Sequence, residues 1–143
     1  MLKDSPHKFV YNFFRFLEKK KGTETPTKAK LLYAPDEITD EELNVEDYID
    51  LSYTNITSLP DGLKVRDDLD LSYSNLTSLP DNLKVGGDIF SNYSKISSIP
   101  NNLKVEKDLY LEGTPLAEKY DDIQIGQMIE DKGGYVKGKI YAS

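Results

Sequence analysis

Between Ile49 and Asp108 apolar residues return at the same offsets every 20 positions. The stretch Leu69 to Asp88, LDLSYSNLTSLPDNLKVGGD, lies on IDLSYTNITSLPDGLKVRDD when shifted back by 20 residues and on IFSNYSKISSIPNNLKVEKD when shifted forward. Its apolar columns are 49/69/89/109, 51/71/91/111, 56/76/96/116, 59/79/99, 63/83/103 and 65/85/105. One short fixed period predicts a solenoid, because a single unit cannot bury its apolar side chains until neighbours stack on it. Within each unit, L-x-L predicts a strand with two inward side chains. Coils that all travel in one direction make those strands a parallel sheet. Proline at 60, 80 and 100 stops helix continuation, and L-K-V predicts a second short extended piece on the opposite wall. Asp61-Gly62, Asn82, Gly86-Gly87 and Asn101-Asn102 supply turn chemistry.

The flanks are less regular. Residues 1–22 predict one amphipathic helix: Ser5 as cap, Pro6 at the first helical position, three lysines in the last turn and Gly22 as stop. Phe9, Val10, Phe13, Phe14, Phe16 and Leu17 share one side of it, which leaves three readings open: a cap on the solenoid, a helix that docks on a partner, or a helix on an anionic membrane surface. Residues 23–30 read as a linker. Residues 29–48 read as a degenerate first coil, with Leu31, Tyr33, Leu43 and Val45 in the columns of Leu51, Tyr53, Leu63 and Val65. Residues 49–108 are three clear repeats, and 109–143 are the last coil and a cap. In that last part Ile123 and Ile125 fall at the repeat spacing, AEKYDDIQIGQMIEDKGG reads as a helix ended by Gly133-Gly134, and Tyr135-Val136 with Ile140-Tyr141 read as a short strand or hairpin.

Composition narrows the chemistry. The chain has 143 residues, a formal net charge of −7 and no cysteine, which removes disulfides, thiolate metal sites and cysteine nucleophiles and leans toward the cytoplasm. No apolar run is long enough to span a bilayer, and no export signal is recognisable. Residues 1–30 hold eight basic and three acidic groups, so the remainder carries −12. That acidic remainder repels phosphates, which predicts a basic partner and no direct nucleic-acid binding by the solenoid.

The string L-x-L-x-x-[ST]-x-[IL]-x-x-[LI]-P, with DNLKVGGD following, resembles the short leucine-rich repeat of phage and bacterial proteins over residues 29–143. The resemblance implies an α/β solenoid: a parallel sheet on a concave side, an N-terminal capping helix and a C-terminal helix-plus-strand cap. The asparagine usual after the strand is replaced by Thr54, Ser74, Ser94 and Thr114, whose hydroxyls can make part of its bonding. Ser91 stands in a leucine column, which predicts a packing defect or a buried hydrogen bond. Bacterial effectors of this pattern carry a ligase with a cysteine nucleophile, which this cysteine-free chain cannot reproduce.

No catalytic constellation emerges. His7 is the only histidine and sits at the start of the first helix, where a surface role is the simpler account. Asp67-Asp68 and Asp121-Asp122 are sequence neighbours that do not converge as an acid and base must, and read as solvated charge. Gly86-Gly87 lacks the context of a phosphate loop. The chain is therefore read as a non-enzymatic protein with no cofactor and no metal.

The informative positions are those that the repeat leaves free. The resemblance makes Asp50, Tyr53, Asp70, Tyr73, Phe90, Tyr93, Tyr110 and Glu112 face the concave side, in a column pattern where the family usually has glycine in place of the tyrosines. At a strand spacing of about 4.8 Å, Tyr53, Tyr73 and Tyr93 should stack, with Tyr33 extending the row. Stacking could serve the sheet alone; aromatics beside carboxylates also suit an interface with a basic protein. The resulting expectation is a protein-binding module, a phage-encoded inhibitor of a host defence or nucleic-acid-handling protein acting in the host cytoplasm. The alternative is a structural or assembly component docked through the basic aromatic helix.

Overall fold

The computed structural model describes residues 27–143. The helix expected over residues 1–22 lies outside the described residues. The chain divides between Glu42 and Leu43 into two units.

In the first unit, α1 (Thr27–Tyr33) is followed by a 3-10 turn, Pro35–Glu37. The helix corrects two expectations: Thr27 to Lys30 are not linker, and Leu31 and Tyr33 are not strand positions of a first coil. The segment TKAKLLY is rich in strong helix formers, and this local preference outweighs a two-residue match to the repeat columns. Lys30 pairs with Glu42, whose carboxylate also accepts from the amide and hydroxyl of Thr39.

The second unit is a β-solenoid of about three regular turns. Its strands are β1 (Asn44–Val45), β2 (Ile49–Asp50), β3 (Lys64–Val65), β4 (Leu69–Asp70), β5 (Lys84–Val85), β6 (Ile89–Phe90), β7 (Lys104–Val105) and β8 (Leu109–Tyr110). They are followed by helices α2 (Pro115–Lys119) and α3 (Asp122–Asp131), then β9 (Tyr135–Val136) and β10 (Ile140–Tyr141). Two parallel five-stranded sheets result, one ordered β1-β3-β5-β7-β9 and the other β10-β8-β6-β4-β2. L-x-L builds the second sheet. L-K-V builds a full sheet of its own, separated from the other by a three-residue corner.

Register follows the 20-residue period up to β8: Val45 pairs with Val65, Val65 with Val85, and Ile49 with Leu69. All six apolar columns are buried, with Leu51, Leu63, Leu69, Leu71, Leu76 and Leu83 fully enclosed. The third wall, residues 54–60 and its copies, holds a single bridge between Ser78 and Ser98 and contributes Ile56, Leu76 and Ile96 to the core. The hydroxyl column works as expected. Thr54, Ser94 and Thr114 donate to the carbonyls of Leu51, Ser91 and Leu111 at 2.6–2.7 Å, while Ser74 accepts from the Leu76 amide. Ser91 is fully buried and donates to the Tyr110 carbonyl at 2.6 Å, so its column carries a hydrogen bond.

Past Tyr110 the step changes. Thr114 caps α2, and a capping box of Asp121 and Gln124 starts α3, so the expected single helix is two. Gly133, at φ +81°, ends α3 as expected. Ile125 is buried, but Ile123 is 79% exposed and occupies no column. The columns resume after 31 residues: Tyr135 pairs with Lys104, Val136 with Val105, Ile140 with Leu109 and Tyr141 with Tyr110. These strands therefore close one sheet each and do not form a hairpin.

Candidate functional site

The corner after each strand of the second sheet sets the site. Tyr53, Tyr73 and Tyr93 have φ of 58°, 58° and 60°, the left-handed region, and Gly113 repeats it at 75°. Their amides donate to the carbonyls of Ser72, Asn92 and Glu112 on the following coil, which locks the conformation. A non-glycine residue there costs about 1–2 kcal/mol. The rings recover part of that: centroids lie 4.7 Å apart between Tyr53 and Tyr73 and 5.1 Å between Tyr73 and Tyr93, with planes within 18°. Stacked pairs contribute about 0.5–1.5 kcal/mol each. Two pairs return about 1–3 kcal/mol against about 3–6 kcal/mol for three strained residues, so the row is a net cost to stability. The row ends at Gly113, where a Cβ would lie 2.3 Å from the Tyr93 ring.

A second ladder runs along the strands themselves. Asp50, Asp70, Phe90, Tyr110 and Tyr141 occupy one column in register. Phe90 stacks on Tyr110 at 4.9 Å and Tyr110 on Tyr141 at 4.7 Å. Tyr141 was not among the sequence-derived candidates; the match of Val136, Ile140 and Tyr141 to Val105, Leu109 and Tyr110 at a step of 31 is the signal that finds it. Tyr33, in α1, is not part of a ladder strand.

The acidic candidates divide by role. Asp50 accepts from the amide and hydroxyl of Ser52 at 3.0 and 2.6 Å, and Asp70 accepts from the Ser72 amide at 3.0 Å, so each carboxylate is held on the face by its own turn. A shallow depression of about 170 Å³ brings Asp50, Asp68 and Asp70 beside Phe90, Tyr48 and Ile49. Glu112 accepts from the Tyr93 hydroxyl at 3.3 Å. Its charge, then that hydrogen bond, raise the Tyr93 pKa above the usual tyrosine value. Burial first, then the charge of Asp108, raise that of Tyr110.

Other carboxylates are structural, which for Asp68 and Asp121 corrects their reading as solvated charge. Asp68 accepts from the Asp88 amide, Asp88 from the Asp108 amide and Asp108 from the Lys139 amide, all at 2.7–2.8 Å. Asp121 caps α3.

Because the rings face one another, they present edges and hydroxyls outward. Tyr53 is 76% exposed, Tyr73 49% and Tyr93 48%. Such a face offers hydroxyl contacts, apolar edges and carboxylates. Among the described residues no cluster of His, Cys, Asp or Glu is arranged to hold a metal ion, and no helix is long and apolar enough to cross a membrane.

The fold and the site together define a class: a parallel β-solenoid that carries one exposed and one half-buried aromatic ladder with flanking carboxylates. Neither a family model, nor a curated protein, nor a solved structure matches the chain.

Proposed function

We propose that this chain is a non-enzymatic protein-binding module of the short leucine-rich repeat type, and that it engages a partner with a basic surface through Asp50, Tyr53, Asp70, Tyr73, Phe90, Tyr93, Tyr110 and Glu112. One observation carries the reading. Three exposed tyrosines occupy backbone positions that prefer glycine, and their stacking recovers only part of the strain, so stability gives no reason for tyrosine there. An interface does: tyrosine gives a large, rigid and amphipathic contact at small entropic cost. The carboxylates of Asp50, Asp70 and Glu112 favour a basic counterpart and oppose an acidic one.

The repeat string, the hydroxyl column after the strand and the left-handed corner support the leucine-rich repeat assignment, with the second sheet as the concave face and α3, β9 and β10 as the terminal cap. The likeness of that string to phage proteins extends the proposal to an inhibitor of a host defence or nucleic-acid-handling protein, acting in the host cytoplasm.

The test is the double substitution Tyr73→Gly with Tyr93→Gly, used in affinity capture from bacterial lysate. The variant is expected to keep its circular dichroism and to lie within about 2 kcal/mol of the parent in stability, while losing the captured protein. Unchanged capture by the folded variant overturns the proposal.

A further inference from the structure

The first sheet presents the opposite chemistry. Its outward column reads Asn44, Lys64, Lys84, Lys104, Tyr135, in register from β1 to β9. Beside it run Glu46, Arg66, Gly86, Glu106 and Lys137. Residues 43–143 hold ten basic and seventeen acidic groups; these two columns take five of the basic and two of the acidic, so the face carries +3 and the rest of the unit −10. Both acids of the face are paired at its ends, Glu46 with Arg66 and Glu106 with Lys137. Lys64, Lys84 and Lys104 make no ion pair among the described residues. Three exposed like charges thus stand on adjacent strands about 4.8 Å apart, an arrangement that opposes the sheet. An open groove of about 350 Å³ lies along Lys64, Arg66 and Lys84.

The same molecule carries the complementary row at the same pitch. Asp50 and Asp70 are in register on the second sheet, and both rows take their spacing from one coil-to-coil ladder. A second copy therefore sets its two carboxylates against two adjacent cations of the three at matched spacing, with Phe90 next in the column, whereas an unrelated ligand would have to reproduce that pitch. The basic face also lacks the free aromatic rings that single-stranded nucleic acid stacks on: Tyr135, its one aromatic, gives its hydroxyl to Glu106.

We propose that the Lys64, Lys84 and Lys104 row of one copy docks on the Asp50, Asp70 and tyrosine face of a second copy. This rests on the reading of that face as one that takes a basic surface, and it names the surface. The contact joins two different faces, so it is heterologous and extends to a ring or a short filament. At physiological salt, screening over about 8 Å leaves the facing rows to dominate over the like net charges, and about 1 M salt removes the attraction.

Sedimentation velocity of the full chain at 0.15 M salt tests this. The parent is expected to self-associate. K84E and D70K, both at outward positions and checked by circular dichroism, are each expected to weaken association at least about tenfold. An equimolar mixture of K84E with D70K restores it, since each supplies the intact face that the other lacks. K84E or D70K associating like the parent overturns the proposal, as does heparin binding lost in K84E by a chain that remains monomeric. A monomeric parent that still captures a foreign protein through Tyr73 and Tyr93 overturns this inference and leaves the protein-binding reading standing. Self-association untouched by D70K and by the double tyrosine variant, with no foreign capture, overturns both.

Discussion

The outward columns of the two sheets hang on the same buried residues and differ in almost everything else. On one sheet, Lys64, Lys84 and Lys104 repeat a charge that repels itself. On the other, Asp50 and Asp70 give way to Phe90, Tyr110 and Tyr141, whose rings attract. The inward partners of both, Val65, Val85, Leu69 and Ile89 among them, are equally buried. Register is thus set from inside, and the surface rows follow it whether their own contacts help or hinder. A row kept against repulsion, and another kept against backbone strain, are neither of them explained by what they stabilise.

That separation of core from faces can be broken most severely at Leu71, fully buried beneath the second sheet. Leu71→Ala should cost about 2–5 kcal/mol, and chemical denaturation should show the loss as a single transition for both sheets. Two transitions would mean that the faces do not share one core. A smaller effect is expected at the corner joining the sheets, where the Asp88 carboxylate accepts the Asp108 amide. Asp88→Ala leaves that amide without its acceptor and should cost about 1–3 kcal/mol. An unchanged midpoint would show that the corner ladder is dispensable to the alignment of the two faces.

The mildest contrast is with pH, and it has opposite signs on the two sides. Glu106 is held below its usual value of 4.5 by the hydrogen bonds of Lys137 and Tyr135. Its contribution is therefore present above 4.5 and is lost as pH falls through the lower folded value. Tyr93 is raised, so its neutral form is favoured when folded; its contribution is present below the unfolded value of about 10 and is lost as pH rises beyond it. Glu106→Gln should flatten the acid limb of a stability profile and leave the alkaline limb alone. Glu112→Gln should bring the Tyr93 titration back toward the usual tyrosine range, read by ultraviolet absorbance, without touching the acid limb.

Much of this was legible because burial imposes a column. Every apolar position between 49 and 109 that the repeat marked is buried, and Ser91, equally buried in its column, resolves into a hydrogen bond to the Tyr110 carbonyl. Where the period slips, column counting misleads. Leu31 matched a strand position, but the lysines, alanine and leucines around it favour a helix. Ile123 matched one too and is exposed, because α3 inserts eleven residues before Val136 resumes the pattern. The tyrosine row was readable from spacing alone, while its left-handed backbone was only hinted at by Gly113 in the same column. The lysine row was equally regular in the sequence. Its meaning depends on which wall L-K-V occupies, and that is a property of the fold.

The carboxylate chain from Asp68 through Asp88 and Asp108 to the Lys139 amide has one further implication. Each coil is fastened to the next by the same bond, and nothing in the fastening records how many coils precede it. The molecule behaves as a ruler graduated in coils. Inserting another copy of residues 69–88 would lengthen the tyrosine and lysine rows by one member each, about 4.8 Å, without a new kind of contact. The reach of either face is therefore quantised, and coil number is the variable by which it can be tuned.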